Sequence, residues 1–215
     1  MMGIDYELIV SDDNSPDGTA NVAKGLSEKY PVRVLVRNEN KGLSPAVWDG
    51  FKIAGGDIVG VIDADLSHPP DVIPDMVKAL REQNADMVIA SRLVKGGGTE
   101  GWPAKRKLNS YFATLLCKPL TKVKDPMSGF FFLKKKVIKG VKLNTKGYKI
   151  LLELLVKGNY EKVIEYPFVF RDRTEGESKL NIKTQLQYVI QLNKLYLFSI
   201  LHHRFKRGQG FAKYF

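Results

Sequence analysis

The motif Asp63-Ala64-Asp65 is the first place in this sequence where residue type and spacing suggest chemistry. It directly follows an apolar run at residues 58–62 that is typical of a buried strand, so two carboxylates would leave the end of that strand. Hard divalent cations such as Mg²⁺ and Mn²⁺ prefer oxygen ligands and commonly share them with substrate phosphates. The alternative is a pair of solvated acids that caps a helix at Pro69, but the strand context favours a metal site.

A second acidic motif, Asp12-Asp13-Asn14-Ser15-Pro16-Asp17-Gly18-Thr19, follows an earlier apolar run. A carboxylate at such a strand end can accept charge-assisted hydrogen bonds from the imino or amino groups of a nucleobase. Capping of the next helix by Asn14 or Ser15 is the simpler alternative. Capping needs only one residue of this motif, so it does not account for two adjacent aspartates.

The elements that must position these motifs alternate in type along the first half of the chain. Short β-rich apolar runs predict strands at residues 6–10, 32–36, 57–62 and 86–90. Helices are predicted to start at Ser15-Pro16, after Gly42 and after Pro69-Pro70. This rhythm predicts an α/β fold with a mainly parallel twisted sheet and helices on both faces. Ligands of such sheets bind beyond the carboxyl ends of the strands, where both acidic motifs, Asn38 and Arg92 are expected.

The second half of the chain has a different pattern. A mobile loop is predicted at Gly96-Gly97-Gly98, and a hydrophobic patch at residues 130–133 follows a turn at 125–129. Helices are predicted at 103–116 and at 148–157, and a strand is predicted at 162–170. A last helix is predicted after the loop at residues 171–178 and continues to about residue 204. Apolar residues recur at helical spacing from Leu186 to Leu201, and basic residues follow them. This last helix suits a membrane interface, with packing against the protein core or a partner subunit as the alternative.

Charge is distributed unevenly. Residues 1–91 carry 8 basic and 15 acidic side chains, a net charge of −7, whereas residues 92–215 carry 26 and 8, a net charge of +18. A basic excess of this size is typical of a protein with a polyanionic partner such as nucleic acid, anionic lipid or phosphate. The single cysteine, Cys117, excludes an internal disulfide and is expected to be a small buried side chain. No apolar run is long enough to predict a membrane-spanning helix.

Three ordered motifs, D-D-N-S-P-D-G-T, D-A-D-L-S-H-P-P and R-x-x-G-x-S-K, together resemble glycosyltransferase family 2, whose members have the GT-A fold. Within the family the sequence is most similar to the dolichol-phosphate mannose synthases and their polyprenol-phosphate relatives. The resemblance implies an inverting transfer of a sugar, mannose from GDP-mannose in the first instance, to dolichyl or polyprenyl phosphate. It also implies Mg²⁺ or Mn²⁺ as cofactor and a peripheral location on the cytoplasmic face of a membrane.

The resemblance further implies roles for individual residues. The nucleoside is expected to contact Ser11, Asp12 and Asp13. The donor diphosphate is expected to bind through metal at Asp63, Ala64 and Asp65, with Ser67 as an auxiliary metal ligand. Cations implied for the donor phosphates are Arg92, Lys149, Arg173 and Lys179. Residues implied for the acceptor phosphate are Arg106, Ser110 and Asp125. The group implied for catalysis is Asp65, Arg92, Arg106, Arg173 and Lys179.

For each cation alone a solvated surface charge remains the alternative, and Asp125 before Pro126 is equally well explained as a turn residue. No histidine is needed as a base, because a monoalkyl phosphate is largely dianionic at neutral pH. His68 is therefore expected to be structural.

The family's first strand and P-x-Y-N-E loop are not found ahead of the first predicted strand, so we expect exposed strand edges and a half-open base pocket. We expect a GT-A domain at residues 1–180, with a nucleotide and metal half at 1–91 and an acceptor half at 92–180. Residues 181–215 are expected to form an amphipathic basic helical segment. Membrane retention would then depend on that segment or on a small membrane-anchoring subunit.

Other functions compete with this interpretation. A family 2 enzyme could use UDP-glucose or another donor, or a polysaccharide hydroxyl as acceptor. Asp63 and Asp65 could instead be the nucleophile pair of a haloacid-dehalogenase-type phosphatase, which leaves the Asp12-Asp13 motif unexplained. The basic half could bind nucleic acid, but it has no recognised motif that interleaves aromatic and basic residues, so nucleic acid is not expected as a partner.

Overall fold

The structure is a computed structural model that describes residues 5–143, 149–172 and 182–203. Its strands are β1 Leu8–Asp12, β2 Val32–Val36, β3 Ile58–Val61, β4 Met87–Ser91, β5 Gly98–Glu100, β6 Phe131–Lys134, β7 Val163–Pro167 and β8 Val169–Arg171. Its α-helices are α1 Thr19–Leu26, α2 Leu43–Ile53, α3 Ile73–Glu82, α4 Ala104–Cys117, α5 Ile150–Lys157 and α6 Ile182–Leu201. Short 3-10 helices lie at Pro70–Val72 and Lys135–Ile138.

The central sheet has the strand order β3-β6-β4-β7. Strand β6 runs antiparallel to both β3 and β4, whereas β4 and β7 are parallel. The hydrophobic patch predicted at residues 130–133 is largely this strand, which the sequence pattern had not identified as one. The sheet therefore has a mixed character, with the antiparallel strand inserted between β3 and β4.

Two further pairs of strands lie beside the central sheet. Strands β1 and β2 form a parallel pair, and so do β5 and β8. In the described part of the chain β1 is hydrogen-bonded on one side only, to β2, and β3 on one side only, to β6. This arrangement agrees with the expectation of exposed strand edges, because in the described residues no strand hydrogen bonds join the β1–β2 pair to the central sheet.

Helices cover both faces of the central sheet, so β4 is buried along its whole length. Met87 and Ile89 pack on one face against residues of α2 and α5, while Val88 and Ala90 pack on the other against α3. This is the period-two alternation of a strand with two buried faces. Each large apolar side chain buried in this way stabilises the fold by roughly 1.5–3 kcal/mol, so the sheet is a firm base for the loops at its edge.

Helix α6 shares a third apolar cluster with α4 and α5. Tyr188, Leu192 and Leu195 pack there with the buried side chain of Cys117, whose Sγ lies 3.1 Å from the Tyr188 hydroxyl. The apolar residues that the sequence singled out on the other side of α6 are all exposed: Leu186, Val189, Ile190, Leu197, Ile200 and Leu201. Within the described ranges, no helix combines the length and apolar character needed to cross a bilayer.

Most predicted elements are confirmed with shifts of a few residues, but two predictions were wrong. Helix α1 starts at Thr19 rather than at Ser15, because the backbone N–H and hydroxyl of Ser15 both donate to Asp12. The stretch at residues 96–98 is not a free loop, since Gly98 begins β5. A Cβ on Gly97 would lie 2.4 Å from the Ser91 carbonyl oxygen, so glycine permits close backbone packing here. The predicted helix start at Tyr148 lies outside the described residues.

Candidate active site

The Asp63-Ala64-Asp65 motif lies immediately after β3, in a tight turn that we call the acidic loop, residues 63–67. Asp65 Oδ1 accepts hydrogen bonds from the Ser67 backbone N–H at 3.1 Å and from its hydroxyl at 2.5 Å. Between them, Leu66 has a φ of +59° and a side chain that is 78% exposed. A left-handed leucine is strained, and such strain collects at functional turns, so the loop conformation is specified by its surroundings.

His68 packs beside the acidic loop and accepts a hydrogen bond from its backbone. Its ring is buried among Phe130, Phe168 and Phe170, and its Nδ1 accepts the Asp63 backbone N–H at 3.2 Å. Burial lowers the pKa of His68 to about 4, with Asp65 opposing and Arg92 reinforcing the shift. An Nδ1 that accepts a hydrogen bond is unprotonated, so the 3.7 Å approach of Asp63 Oδ2 to this atom is not an ion pair. The burial of His68 and this hydrogen bond support the structural role expected for it, which stays a prediction.

The acidic loop offers two carboxylates to a metal ion. No group of three or more His, Cys, Asp or Glu side chains in the described ranges could hold one alone. The Asp63 side chain is 41% exposed, Asp65 is exposed, and Gly129 leaves room beside Asp63, since a Cβ there would lie 3.4 Å from Oδ2. Two accessible carboxylates suit Mg²⁺ or Mn²⁺, which take their other ligands from substrate phosphates and water. Ser67 is buried and its hydroxyl is bonded to Asp65, so it would act on the metal through that carboxylate or after rearrangement.

The predicted nucleoside residues lie at the ends of β1 and β2. The carboxylate of Asp13 pairs with Arg37 Nη1 and accepts the Gly42 backbone N–H at 2.6 Å. Asp12 is buried, and its pKa is lowered because the Ser15 hydroxyl and N–H hold its charged form. Ser11 donates its hydroxyl to Ala46. The Asp13 side chain keeps 31% of its surface exposed, whereas Asp12 is buried, so of these two aspartates Asp13 is the more accessible to a ligand.

A buried ion pair lies just beyond the C-terminal end of β4. Arg92 donates to Asp125 through Nε and Nη2, both at 2.7 Å, and through its backbone N–H at 3.0 Å. Asp125 is fully buried and Arg92 is 10% exposed. Glu165 of β7 in turn accepts the backbone N–H groups of Lys124 and Asp125 and the Ser91 hydroxyl. Asp125 thus fixes the direction of Arg92, and Glu165 fixes Asp125.

Arg106 lies beside Arg92 on the same aromatic support. Its guanidinium carbon is 4.1 Å from the Trp102 ring centroid, and Nη1 donates to both carboxylate oxygens of Asp172 at 2.8 and 2.9 Å. Both guanidinium groups also lie over the Phe170 ring, at 5.7 Å for Arg106 and 6.0 Å for Arg92, and Arg92 is 5.3 Å from the Trp102 ring centroid. We call this group the arginine cluster: Arg92, Arg106, Trp102, Phe170, Asp125 and Asp172. The stacking and bidentate pairing hold two guanidinium groups in fixed orientations.

Lys149 adds a third cation, whose charge is influenced by the arginine cluster and by Asp63 of the acidic loop. Burial lowers the pKa of Lys149 to about 8, and the nearby charge of Arg92 acts in the same direction. Asp125 and Asp63 oppose the shift. Phe170 joins the two regions, since its ring centroid lies 5.5 Å from that of His68 and 6.0 Å from the guanidinium carbon of Arg92. The pKa of Lys149 and that of His68 are influenced by charges of both regions, in agreement with this proximity.

A cavity of about 580 Å³ opens next to the arginine cluster, between β5 and α4. Its polar lining includes Arg92, Ser110 and the lysines 107, 118 and 124. Its apolar lining includes Leu93, Trp102, Tyr111 and Leu115. A cavity that combines several cations with apolar walls suits a ligand with an anionic head and a hydrocarbon chain.

The structure brings together most of the residues predicted for the site: Asp63, Asp65, Ser67, Arg92, Arg106, Ser110, Asp125 and Lys149. Ser11, Asp12 and Asp13 lie on the β1 and β2 pair, in a hydrogen-bond network of their own. Arg173 and Lys179 lie outside the described residues. The individual roles of all these residues stay predictions.

Sequence reasoning missed several residues that organise the site. Arg37 directly follows β2 at the same edge as Asp13, so its position was a usable signal. Trp102, Glu165 and Asp172 gave no such signal, because they meet their partners only in the folded chain. Glu165 is 74 residues from Ser91, Asp172 is 66 residues from Arg106, and Trp102 contacts Arg106 four residues later. Trp102 Nε1 and Arg106 Nε are buried without a hydrogen-bond partner among the described residues, which marks this cluster as one that a ligand could complete.

Known sequences place the chain in a family. The family profile described as "Glycosyl transferase family 2" matches residues 2–141. A dolichol-phosphate mannosyltransferase of Pyrococcus furiosus is 49% identical over 199 residues, which cover 91% of this chain and 56% of that protein. The Saccharomyces cerevisiae protein of the same name is 41% identical over 89% of this chain and 75% of its own length. The chain thus spans little more than half the length of the first of these relatives.

Solved structures agree on the fold. A mannosyltransferase of Pyrobaculum calidifontis, solved with GDP-mannose and Mn²⁺, matches 91% of this chain and 55% of its own with a TM-score of 0.59 at 18% identity. A glucosyl-3-phosphoglycerate synthase of Mycobacterium tuberculosis, solved with Mn²⁺ and UDP-glucose, matches 88% of this chain and 68% of its own with a TM-score of 0.62 at 21% identity. These matches confirm the predicted GT-A fold. With a family profile over residues 2–141 and relatives at 41–49% identity, the chain belongs to glycosyl transferase family 2.

Proposed function

We propose that this protein transfers mannose from GDP-mannose to the phosphate of a polyprenol such as dolichol, with inversion at the anomeric carbon. The names of the relatives support the donor sugar and the acceptor class. The observation that carries the proposal is the proximity of the acidic loop and the arginine cluster, which Phe170 joins through His68 and Arg92, beside a cavity with cationic and apolar walls. Family membership argues against the phosphatase alternative.

The acidic loop is assigned to the donor diphosphate. Asp63 and Asp65 would hold Mg²⁺ or Mn²⁺, as the ion-bound neighbours in the same fold support. The ion would neutralise charge on the departing diphosphate. The loop itself contributes rigidity, since Ser67 and His68 fix the Asp65 carboxylate and the Asp63 backbone before any ligand arrives. Lys149 lies between this loop and Arg92, where a cation would counter the charge of the leaving group.

The arginine cluster is assigned to the acceptor phosphate. Arg92 and Arg106 are held by carboxylates and aromatic rings, so little conformational entropy remains to be lost when they bind a phosphate. Ser110 lines the adjoining cavity and can donate a hydroxyl. Asp125 is fully occupied by Arg92, so its contribution is to orient that arginine rather than to remove a proton. The acceptor phosphate is the nucleophile and needs no base.

A membrane surface is the proposed source of the acceptor. Helix α4 exposes Leu108, Tyr111, Phe112, Leu115 and Leu116, and α6 exposes a second set of apolar side chains. Both helices border the same apolar cluster, and α4 lines the cavity. An amphipathic surface with lysines nearby suits the interface of an anionic bilayer. Peripheral association at the cytoplasmic face, with or without a small anchoring subunit, is part of the proposal.

Two measurements test it. GDP and UDP are compared for thermal stabilisation of the protein with Mn²⁺, and GDP is expected to stabilise more. GDP-mannose and UDP-glucose are then assayed with a short, water-soluble polyprenyl phosphate as acceptor. Stabilisation by UDP alone, with transfer of glucose, would replace the proposed donor with the alternative one. Transfer to a polysaccharide hydroxyl but not to the phosphate would contradict the assigned acceptor.

A further inference from the structure

Helix α6 carries a buried polar residue, Gln191, that contacts the backbone of the site residue Lys149. Gln191 is 3% exposed and lies on the side of α6 that also buries Tyr188, Leu192 and Leu195. Its Oε1 accepts the backbone N–H of Lys149 at 3.0 Å, and its Nε2 donates to the carbonyl oxygen of the same residue at 3.2 Å. Nε2 also lies 3.5 Å from a carboxylate oxygen of Glu153. A buried amide is placed there at a desolvation cost, which these bonds offset.

A two-point contact of this kind fixes the direction of a side chain. The N–H and the C=O of Lys149 flank its Cα, so holding both groups fixes the orientation of the Cα–Cβ bond. Lys149 directly precedes α5, where its carbonyl also accepts the N–H of Glu153 at 3.3 Å. The charge of this lysine is coupled to Arg92, Asp125 and Asp63, so its direction matters to both regions of the site.

We propose that Gln191 is a positioning residue, which holds the backbone of Lys149 so that its ammonium group points between the acidic loop and the arginine cluster. This inference rests on the proposed function, in which Lys149 contacts the donor phosphates. It gives α6 a role in the site, because one residue of its buried side would hold the backbone of a site cation that directly precedes α5.

The test is a double-mutant cycle with a matched control. Gln191→Leu keeps the size of the side chain and removes both hydrogen bonds, whereas Gln187→Leu makes the same change at an exposed position one turn earlier on α6. Both changes are also made in a Lys149→Met background. The dissociation constants of GDP and of UDP with Mn²⁺ are measured by calorimetry, and kcat and KM for mannose transfer are measured separately. Melting temperatures establish that each variant is folded.

Gln191→Leu is expected to weaken nucleotide binding about tenfold, the scale of one lost charge-directing contact, while Gln187→Leu leaves it unchanged. In the Lys149→Met background Gln191→Leu is expected to have no further effect on binding, because it acts through the lysine. Equal losses in both backgrounds, or full affinity in Gln191→Leu, would overturn the inference. If the protein binds nucleotide but transfers no mannose to a polyprenyl phosphate, the proposed function fails while the binding cycle still decides the role of Gln191. If neither nucleotide binds to the wild-type chain, both are overturned.

Discussion

The acidic loop and the arginine cluster hold opposite charges in opposite ways. The acidic loop keeps its carboxylates accessible, with Asp63 41% exposed and Asp65 exposed, and the backbone N–H and hydroxyl of Ser67 fix the Asp65 carboxylate. The arginine cluster pairs its charges internally, with Asp125 fully buried against Arg92 and with Arg106 and Asp172 partly exposed. The acidic loop is proposed to bind a metal ion, whereas the arginine cluster contains carboxylates that pair with its arginines.

The proposed function accounts for this difference. A metal ion that arrives with the diphosphate would supply the counter-charge, so accessible carboxylates suit that role. A cation that must be ready for a phosphate next to apolar walls cannot stay solvated, and a buried unpaired charge would be costly. Internal carboxylates and aromatic faces meet that requirement for Arg92 and Arg106. Substitutions in the two regions should therefore fail in different ways.

The largest effect is expected from Arg92→Ala. It leaves the carboxylate of Asp125 buried without its partner, so the free energy of unfolding should fall by about 3–5 kcal/mol and transfer should be lost as well. Urea denaturation and the transfer assay measure the two effects. Lys95→Ala, an exposed cation in the same segment, is the control and should change stability by less than about 0.5 kcal/mol. Wild-type stability in Arg92→Ala would break the comparison, since the pair would then not be a structural requirement.

Asp65→Asn should damage binding but not the fold. The asparagine oxygen can still accept from Ser67, yet the metal loses a charged ligand, so Mn²⁺-dependent GDP affinity should fall by about 100-fold. The free energy of unfolding should stay within about 0.5 kcal/mol of wild type, because the position is exposed. Calorimetry with and without EDTA measures the affinity, and the exposed Asp71→Asn serves as control. Unchanged Mn²⁺-dependent affinity would remove Asp65 from the metal site.

Arg173→Ala and Lys179→Ala test cations implied by the R-x-x-G-x-S-K motif. Each should cost about 1.5–3 kcal/mol of transition-state stabilisation with a soluble polyprenyl phosphate, the range for a contact to a charged group. The measurement is kcat/KM without any membrane present. Normal turnover of Arg173→Ala would remove this motif from the reaction centre and leave the arginine cluster as the proposed phosphate site.

Trp102→Leu should loosen the arginine cluster without removing a charge. The ring lies against both guanidinium groups, and loss of a desolvated cation–π contact is worth about 1–2 kcal/mol, so KM for the soluble acceptor should rise about tenfold. Trp102→Phe keeps an aromatic face and should retain most of the affinity. If Phe is as harmful as Leu, the unpaired indole N–H is the important feature rather than the stacking.

The smallest effect per residue is expected at the basic residues that follow α6. Replacing Arg204, Lys206 and Arg207 by alanine should weaken binding to anionic liposomes by about 1 kcal/mol per charge at low salt, and less at high salt. Turnover of a soluble acceptor should not change. Lys24→Ala with Lys29→Ala, on and after α1, is the control for a general loss of positive charge. A loss of soluble turnover as large as that in Arg173→Ala would contradict this division between site and membrane cations.

The sequence by itself determined the strands that deliver the acidic motifs, because apolar runs and turn residues are local signals. Strand β3 ends just before the D-x-D motif, and β1 ends within the second acidic motif. Both strands lie near their predicted positions. The three motifs were also specific enough to indicate the family. The role of residues 130–133 as an inserted antiparallel strand was not predictable in this way, because a short apolar run fits several environments.

Only the tertiary structure decided which polar residues share a site. Arg92 and Asp125 are 33 residues apart, Ser91 and Glu165 are 74 apart, and Lys149 and Gln191 are 42 apart, so no local pattern connects them. Their pairing depends on the register of β4 against β7 and on the packing of α6 over α5, which are products of the whole core. The sequence supplied the charged groups and the loops that carry them. Burial then determined which charges had to be paired, because only an unpaired charge that is removed from water is costly.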